Sequence, residues 1–155
     1  MQLKIKGKKH WLWRAVDQNG VVLDILVQER RNQEAAEAFL RRLVAGEGRA
    51  PRVVVTDKLA SYPPALRSVL PGVEHRRHKG LNNRAENSHR PVRKRERVLQ
   101  RFKSPGHAQR FLEPFGAVQN HFRPRRHLLA AKHYRSLRIE RFQQWREAAR
   151  LQPAA

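Results

Sequence analysis

The sequence predicts an α/β domain, a mixed sheet flanked by helices. Three observations predict it. Residues 2–28 read as three short strands, with an Asn-Gly turn between the second and third. An amphipathic helical segment, a short apolar strand and a second helical segment follow in that order. Beyond Gly80 the chain turns helical in period and strongly basic. At 155 residues it suits a single domain with a modest core.

Residues 2–6 alternate as a short strand that Gly7 interrupts. Residues 9–16 form a second strand, with Trp11 and Trp13 pointing to one side as core side chains. Asp17-Gln18-Asn19-Gly20 carries the Asn-Gly turn of a hairpin, and residues 21–28 form the β-branched third strand. Asn32 caps a helix with Glu34 in its first turn. Ala36, Phe39, Leu40, Leu43 and Val44 make its apolar face, and Gly46 is the expected stop. Residues 52–56 read as a strand buried on both faces and ending at Asp57. A helix near Ser61–Val69, closed by Pro71-Gly72, and a strand over 73–77 complete this half. Helices are then expected from Asn83, from Ser104-Pro105, and over about 134–150. Three antiparallel strands, a helix, then a short central strand resemble the ribonuclease-H-like (retroviral-integrase-like) layout. That fold places metal-binding carboxylates on the first strand, at the end of the fourth, and on a late helix.

The charge narrows the function. Lys+Arg number 34 against 13 Asp+Glu, a formal net charge of +21. Residues 1–74 hold 13 basic and 8 acidic side chains, and residues 75–155 hold 21 and 5. A surplus so unevenly placed calls for a polyanion, and nucleic acid is the default partner. The absence of Cys excludes disulfides, Cys-based zinc sites and cysteine nucleophiles. No apolar run approaches the roughly 18 residues of a membrane span, so a soluble, cytoplasmic protein is expected.

Few carboxylates are available for catalysis. Asp57 sits at a strand end, where it can either bind a ligand or cap the next turn. Glu86 lies in Asn82-Asn83-Arg84-Ala85-Glu86-Asn87. There it can form a capping box with Asn83, or stand as a lone carboxylate among bases. On a helix, Arg90 and Arg93 fall on the Glu86 face, although Pro91 threatens a kink. Carboxylates holding a pair of Mg²⁺ (or Mn²⁺) ions about 3.5–4 Å apart are what phosphodiester strand transfer requires.

Several segments resemble one family. Trp11-Leu12-Trp13-Arg14-Ala15-Val16-Asp17 with Gly20 resembles the "LWRAVD..G" strand of DDE-type bacterial insertion-sequence transposases, of the IS-six-like family. Thr56-Asp57-Lys58, Glu74-His75-Arg76, Asn82–Asn87 and Arg101-Phe102-Lys103-Ser104 resemble further segments of that family, in the same order. The resemblance implies a DNA transposase that cuts at element ends and joins the freed 3′-OH to a target. It assigns Asp57 and Glu86 as catalytic metal ligands of a two-ion site. It places Lys58, Lys79, Arg84, Arg90, Arg93 and Lys94 against DNA, and implies a homo-oligomer in the intact enzyme. Residues 1–125 would form the catalytic domain and 126–155 a basic helical extension.

In the family the first aspartate precedes a segment resembling Gln2–Gly7. The chain starting at Met1 is therefore expected to lack that ligand, part of strand one and the N-terminal DNA-recognition region, and to be inactive alone. Asp17 and Asp24 are poorly placed as substitutes. His75 with His78, and His121, His127 and His133, lack the partners of a zinc site and suit DNA contact or packing. A second class of function fits the composition: a non-enzymatic, basic nucleic-acid-binding protein.

Overall fold

The computed structural model describes residues 1–78, 80–124 and 128–150, with Arg84 described by its backbone alone. The elements run β1 (Gln2–Ile5), β2 (Lys8–Val16), β3 (Val22–Gln28), α1 (Gln33–Glu47), β4 (Val53–Thr56), α2 (Tyr62–Val69), β5 (Glu74–Arg77), α3 (Asn83–Val98), α4 (Pro105–Phe122) and α5 (Ala131–Arg150). The chain forms two compact units, residues 1–113 and 114–155. The expected domain limit at 125/126 falls outside the described residues. Among the described residues no helix is long and apolar enough to cross a membrane.

In the first unit β1, β2 and β3 form an antiparallel meander. The turn after β2 closes as its Asn-Gly signal predicts. Asp17 N–H donates to the Val21 carbonyl at 2.9 Å, and Gly20 takes φ 82°. Alternation then sorts the side chains. Trp13 is buried against Phe39, Leu40, Ala65 and Leu66, with Trp11, Ala15 and Leu26 packed on the same cluster. Leu3, Ile5, Leu12 and Ile25 are buried on the opposite face. Gln109 of α4 caps the free edge of β3, accepting from Val27 N–H and donating to the Ile25 carbonyl, both at 2.8 Å.

Asn32 caps α1, accepting from Ala35 N–H at 3.0 Å. The expected stop at Gly46 moves to Gly48. A left-handed cap needs a residue tolerant of positive φ. Gly48 supplies it at φ 66°, its N–H donating to the Val44 carbonyl, while Gly46 stays helical.

β4 corrects the reading of a strand buried on both faces. Val55 is 37% exposed, and Thr56 is the strand's buried residue. β4 pairs in parallel with β5, and among the described residues no ladder joins this pair to the meander. The outward amide of Lys4 on β1 is instead met by the Glu96 side chain of α3. A continuous apolar run shows that a strand exists, not which neighbour it finds.

The second unit contains the end of α4 and all of α5. Phe122 packs on Phe142 and Trp145, with ring centroids 4.7 and 5.4 Å apart. His121 and Arg141 exchange hydrogen bonds with each other's backbone carbonyls at 2.9 and 3.0 Å.

Candidate active site

Asp57 follows the last residue of β4, and its surroundings are rigid. Thr56 Oγ1 donates to the Asp57 carbonyl at 2.9 Å and shares a 2.8 Å hydrogen bond with His75 Nε2 on β5. Arg77 donates to the Lys58 carbonyl at 3.0 Å, pinning the loop beyond, while the Lys58 side chain is exposed. The two carboxylate oxygens of Asp57 have different tasks. Oδ1 accepts from Leu59 N–H at 3.0 Å, so the turn-capping role is real. Oδ2 faces the Arg31 guanidinium at 2.7 Å. Turn capping therefore engages one oxygen and leaves the other directed at a cation.

Glu86 stands in the first turns of α3. The capping box expected with Asn83 does not form. The helix starts one residue earlier than that pairing requires: Asn82 is at the cap without a side-chain hydrogen bond, and Asn83 is already helical. Glu86 is thereby the fourth helical residue, its amide donating to the Asn82 carbonyl at 3.1 Å. Its carboxylate is exposed. α3 continues through Pro91. Glu86, Arg90 and Arg93 thus lie along one exposed stripe, beside a buried stripe of His89 and Val92. Lys94 is exposed next to it. Lys79 and the Arg84 side chain lie outside the described residues.

The two carboxylates act on the same neighbours. The Met1 amine, which donates to the Leu12 carbonyl at 3.0 Å, is lowered by burial and by Arg31 and Arg93 against the opposing pull of Glu86 and Asp57. Burial, then the charges of Asp57 and Glu86, push the Tyr62 phenol up to about 12. Asp57 and Glu86 therefore both lie within electrostatic reach of the Met1 amine and the Tyr62 phenol. His89 is in reach of the same amine. Burial first, then the Met1 amine, Arg14 and Arg93, bring its pKa down to about 3, so its imidazole is neutral. Burial lowers Arg14 to about 10, and its Nε and Nη1 atoms lie buried with no hydrogen-bond partner among the described residues.

The donor chemistry suits a hard divalent cation, because Asp57 and Glu86 both offer carboxylate oxygen. Among the described residues, no cluster of three or more His, Cys, Asp or Glu joins them. Asp17 and Asp24 have other work. Asp17 caps the hairpin turn through Asn19 N–H and Val21 N–H, at 2.7 and 2.8 Å. Asp24 accepts from Ile25 N–H at 2.7 Å and from Arg42 Nε at 3.0 Å.

Residues 1–125 match the family described as a DDE domain. The chain belongs to the DDE-type insertion-sequence transposase family. It is 36% identical over 99 residues to the transposase for the insertion sequence-like element IS431mec of Staphylococcus aureus. It has the same identity to the transposase for insertion sequence element IS257 in transposon Tn4003, also of Staphylococcus aureus. Each match takes in 61% of this chain and 44% of the relative, so the chain spans less than half the length of these transposases. An uncharacterised protein of Yersinia pseudotuberculosis is 30% identical over 70 residues, 44% of this chain and 65% of that protein. No solved structure matches the chain significantly.

Arg31 is the residue of this DDE domain that the sequence does not announce. It sits between β3 and α1, within Arg30-Arg31-Asn32, where a basic pair before a helix cap reads as solvated surface. Its guanidinium carbon lies 5.1 Å from the centre of the Trp11 ring. Tyr62 and His89 also escape notice, since burial and distant charges, not a local pattern, shift their pKa values.

Proposed function

We propose that this chain carries the catalytic region of a DNA transposase, with a ribonuclease-H-like arrangement in which Asp57 and Glu86 bind Mg²⁺ or Mn²⁺. The charge that Asp57 and Glu86 both exert on the Met1 amine and the Tyr62 phenol supports this reading. Bound there, the cation would supply Lewis acidity to a phosphodiester and to the oxygen attacking it. Asp57 is the fixed partner, its Oδ1 held by a backbone amide and its strand by the Thr56–His75 hydrogen bond. Glu86 offers its carboxylate from the facing helix. Arg90 and Arg93 continue the same stripe and would take phosphate oxygens with their planar forks. Lys58, Lys79, Arg84 and Lys94 would contact DNA as well. Residues 1–125 form the catalytic domain on this reading, and 126–155 a basic helical extension. The intact enzyme would act as a homo-oligomer on element ends and target DNA, in the bacterial cytoplasm.

One observation favours a second reading, a basic DNA-binding protein without catalysis: Asp57 Oδ2 is already paired with Arg31. Calorimetric titration of Mn²⁺ separates the two. The catalytic reading expects saturable binding that weakens at least about tenfold in Asp57→Asn and in Glu86→Gln. Equal heats for the wild type and both variants overturn it and leave the DNA-binding reading.

A further inference from the structure

We propose that Arg31 is an exchangeable counter-ion of Asp57: it holds the carboxylate while no divalent cation is bound, and passes to a DNA phosphate when a cation takes its place. This rests on the reading of Asp57 as a cation ligand. Oδ1 already accepts from Leu59 N–H. The other oxygen, Oδ2, is held by Arg31 at 2.7 Å. A divalent ion and a guanidinium on one oxygen repel each other, so cation binding through Oδ2 favours release of Arg31.

The structure gives Arg31 somewhere to go. The pair is open to solvent, the Arg31 and Asp57 side chains being 34% and 32% exposed. The guanidinium lies over the Trp11 ring, which can steady it after release by cation–π attraction. Its planar fork then matches a phosphate. A DNA phosphate arriving with the cation gives the released guanidinium an anionic partner. Cation and DNA binding are thereby coupled, and the coupling is reciprocal.

The test follows unbound Mn²⁺ by its electron paramagnetic resonance signal, in wild type, Arg31→Ala, Arg31→Gln and Asp57→Asn. Each protein is titrated with and without a short duplex of arbitrary sequence, and ions held by the duplex alone are subtracted. Without DNA, both Arg31 variants should bind Mn²⁺ at least about fivefold tighter than wild type. Duplex should tighten Mn²⁺ binding by a similar factor in wild type and not in the variants. Binding seen in the Arg31 variants and absent from wild type supports the proposal equally. Circular dichroism establishes that each variant is folded, and Arg31→Gln stands in should Arg31→Ala fail. Equal affinity in wild type and a folded Arg31 variant, with Asp57→Asn losing the ion, overturns the exchange and leaves the Asp57 reading intact. Unchanged Mn²⁺ binding in Asp57→Asn, or none in any protein, overturns that reading and the exchange with it.

Discussion

Thr56 Oγ1 and His75 Nε2 share a 2.8 Å hydrogen bond across the parallel β4–β5 pair, directly behind Asp57. Thr56 is buried, and burial together with Arg77 lowers the His75 pKa. Thr56→Val keeps the shape and removes the hydroxyl. It should destabilise the domain by about 1–2 kcal/mol, the typical effect of leaving a polar partner unsatisfied. Urea denaturation of the two proteins measures it, and unchanged midpoints would show that the bond does not support the strand.

Trp13 should dominate core stability. It is 4% exposed, with ring centroids 6.0 Å from Phe39 and 5.7 Å from Tyr62. Trp13→Ala is expected to destabilise by about 3–5 kcal/mol. Trp13→Phe should do less harm, because the indole Nε1 is buried without a hydrogen-bond partner among the described residues. The order of the three denaturation midpoints checks both statements.

His89 predicts a pH dependence. Its folded pKa of about 3 lies below the ordinary value of 6.5. Between those values the unfolded chain binds the extra proton, so acid favours unfolding. Stability contributed by neutral His89 is complete above about pH 6.5 and declines as pH falls towards 3. The charges facing it, the Met1 amine, Arg14 and Arg93, all oppose protonation. His89→Leu should flatten the stability profile in that window. A variant with the same slope as wild type would show that the imidazole protonates freely in the folded state.

The basic stripe of α3 predicts a salt signature. Arg90→Ala and Arg93→Ala should each weaken duplex binding for all sequences alike, and each should reduce the slope of log affinity against log salt by about one. Fluorescence anisotropy at several salt concentrations gives that slope. An unchanged slope would place DNA elsewhere.

What could be read in advance divides along a physical line. Local signals were legible. Asn19-Gly20 marked the hairpin, Asn32 the helix cap, and the Trp11/Trp13 alternation the core face. Asp57 was legible as a strand-end carboxylate, because position along a strand is a local property. The pairing of β4 was not, since a run of valines is equally compatible with a central strand and with one that has a single partner. Glu86 was half legible: its helix was evident, but a shift of one residue decided whether it capped that helix or stood free of the cap. Arg31 was not legible at all. Its contact with Asp57 spans 26 residues and leaves no local pattern.

The central claim is that Asp57 and Glu86 serve one cation. Paramagnetic broadening of amide NMR signals by Mn²⁺ tests it most directly, because it locates the ion. At sub-stoichiometric Mn²⁺, signals of Gln2, Asp57–Leu59 and Asn83–Glu86 should broaden first, and the effect should vanish in Asp57→Asn. Broadening confined to other residues, or identical in Asp57→Asn, would contradict a shared cation site.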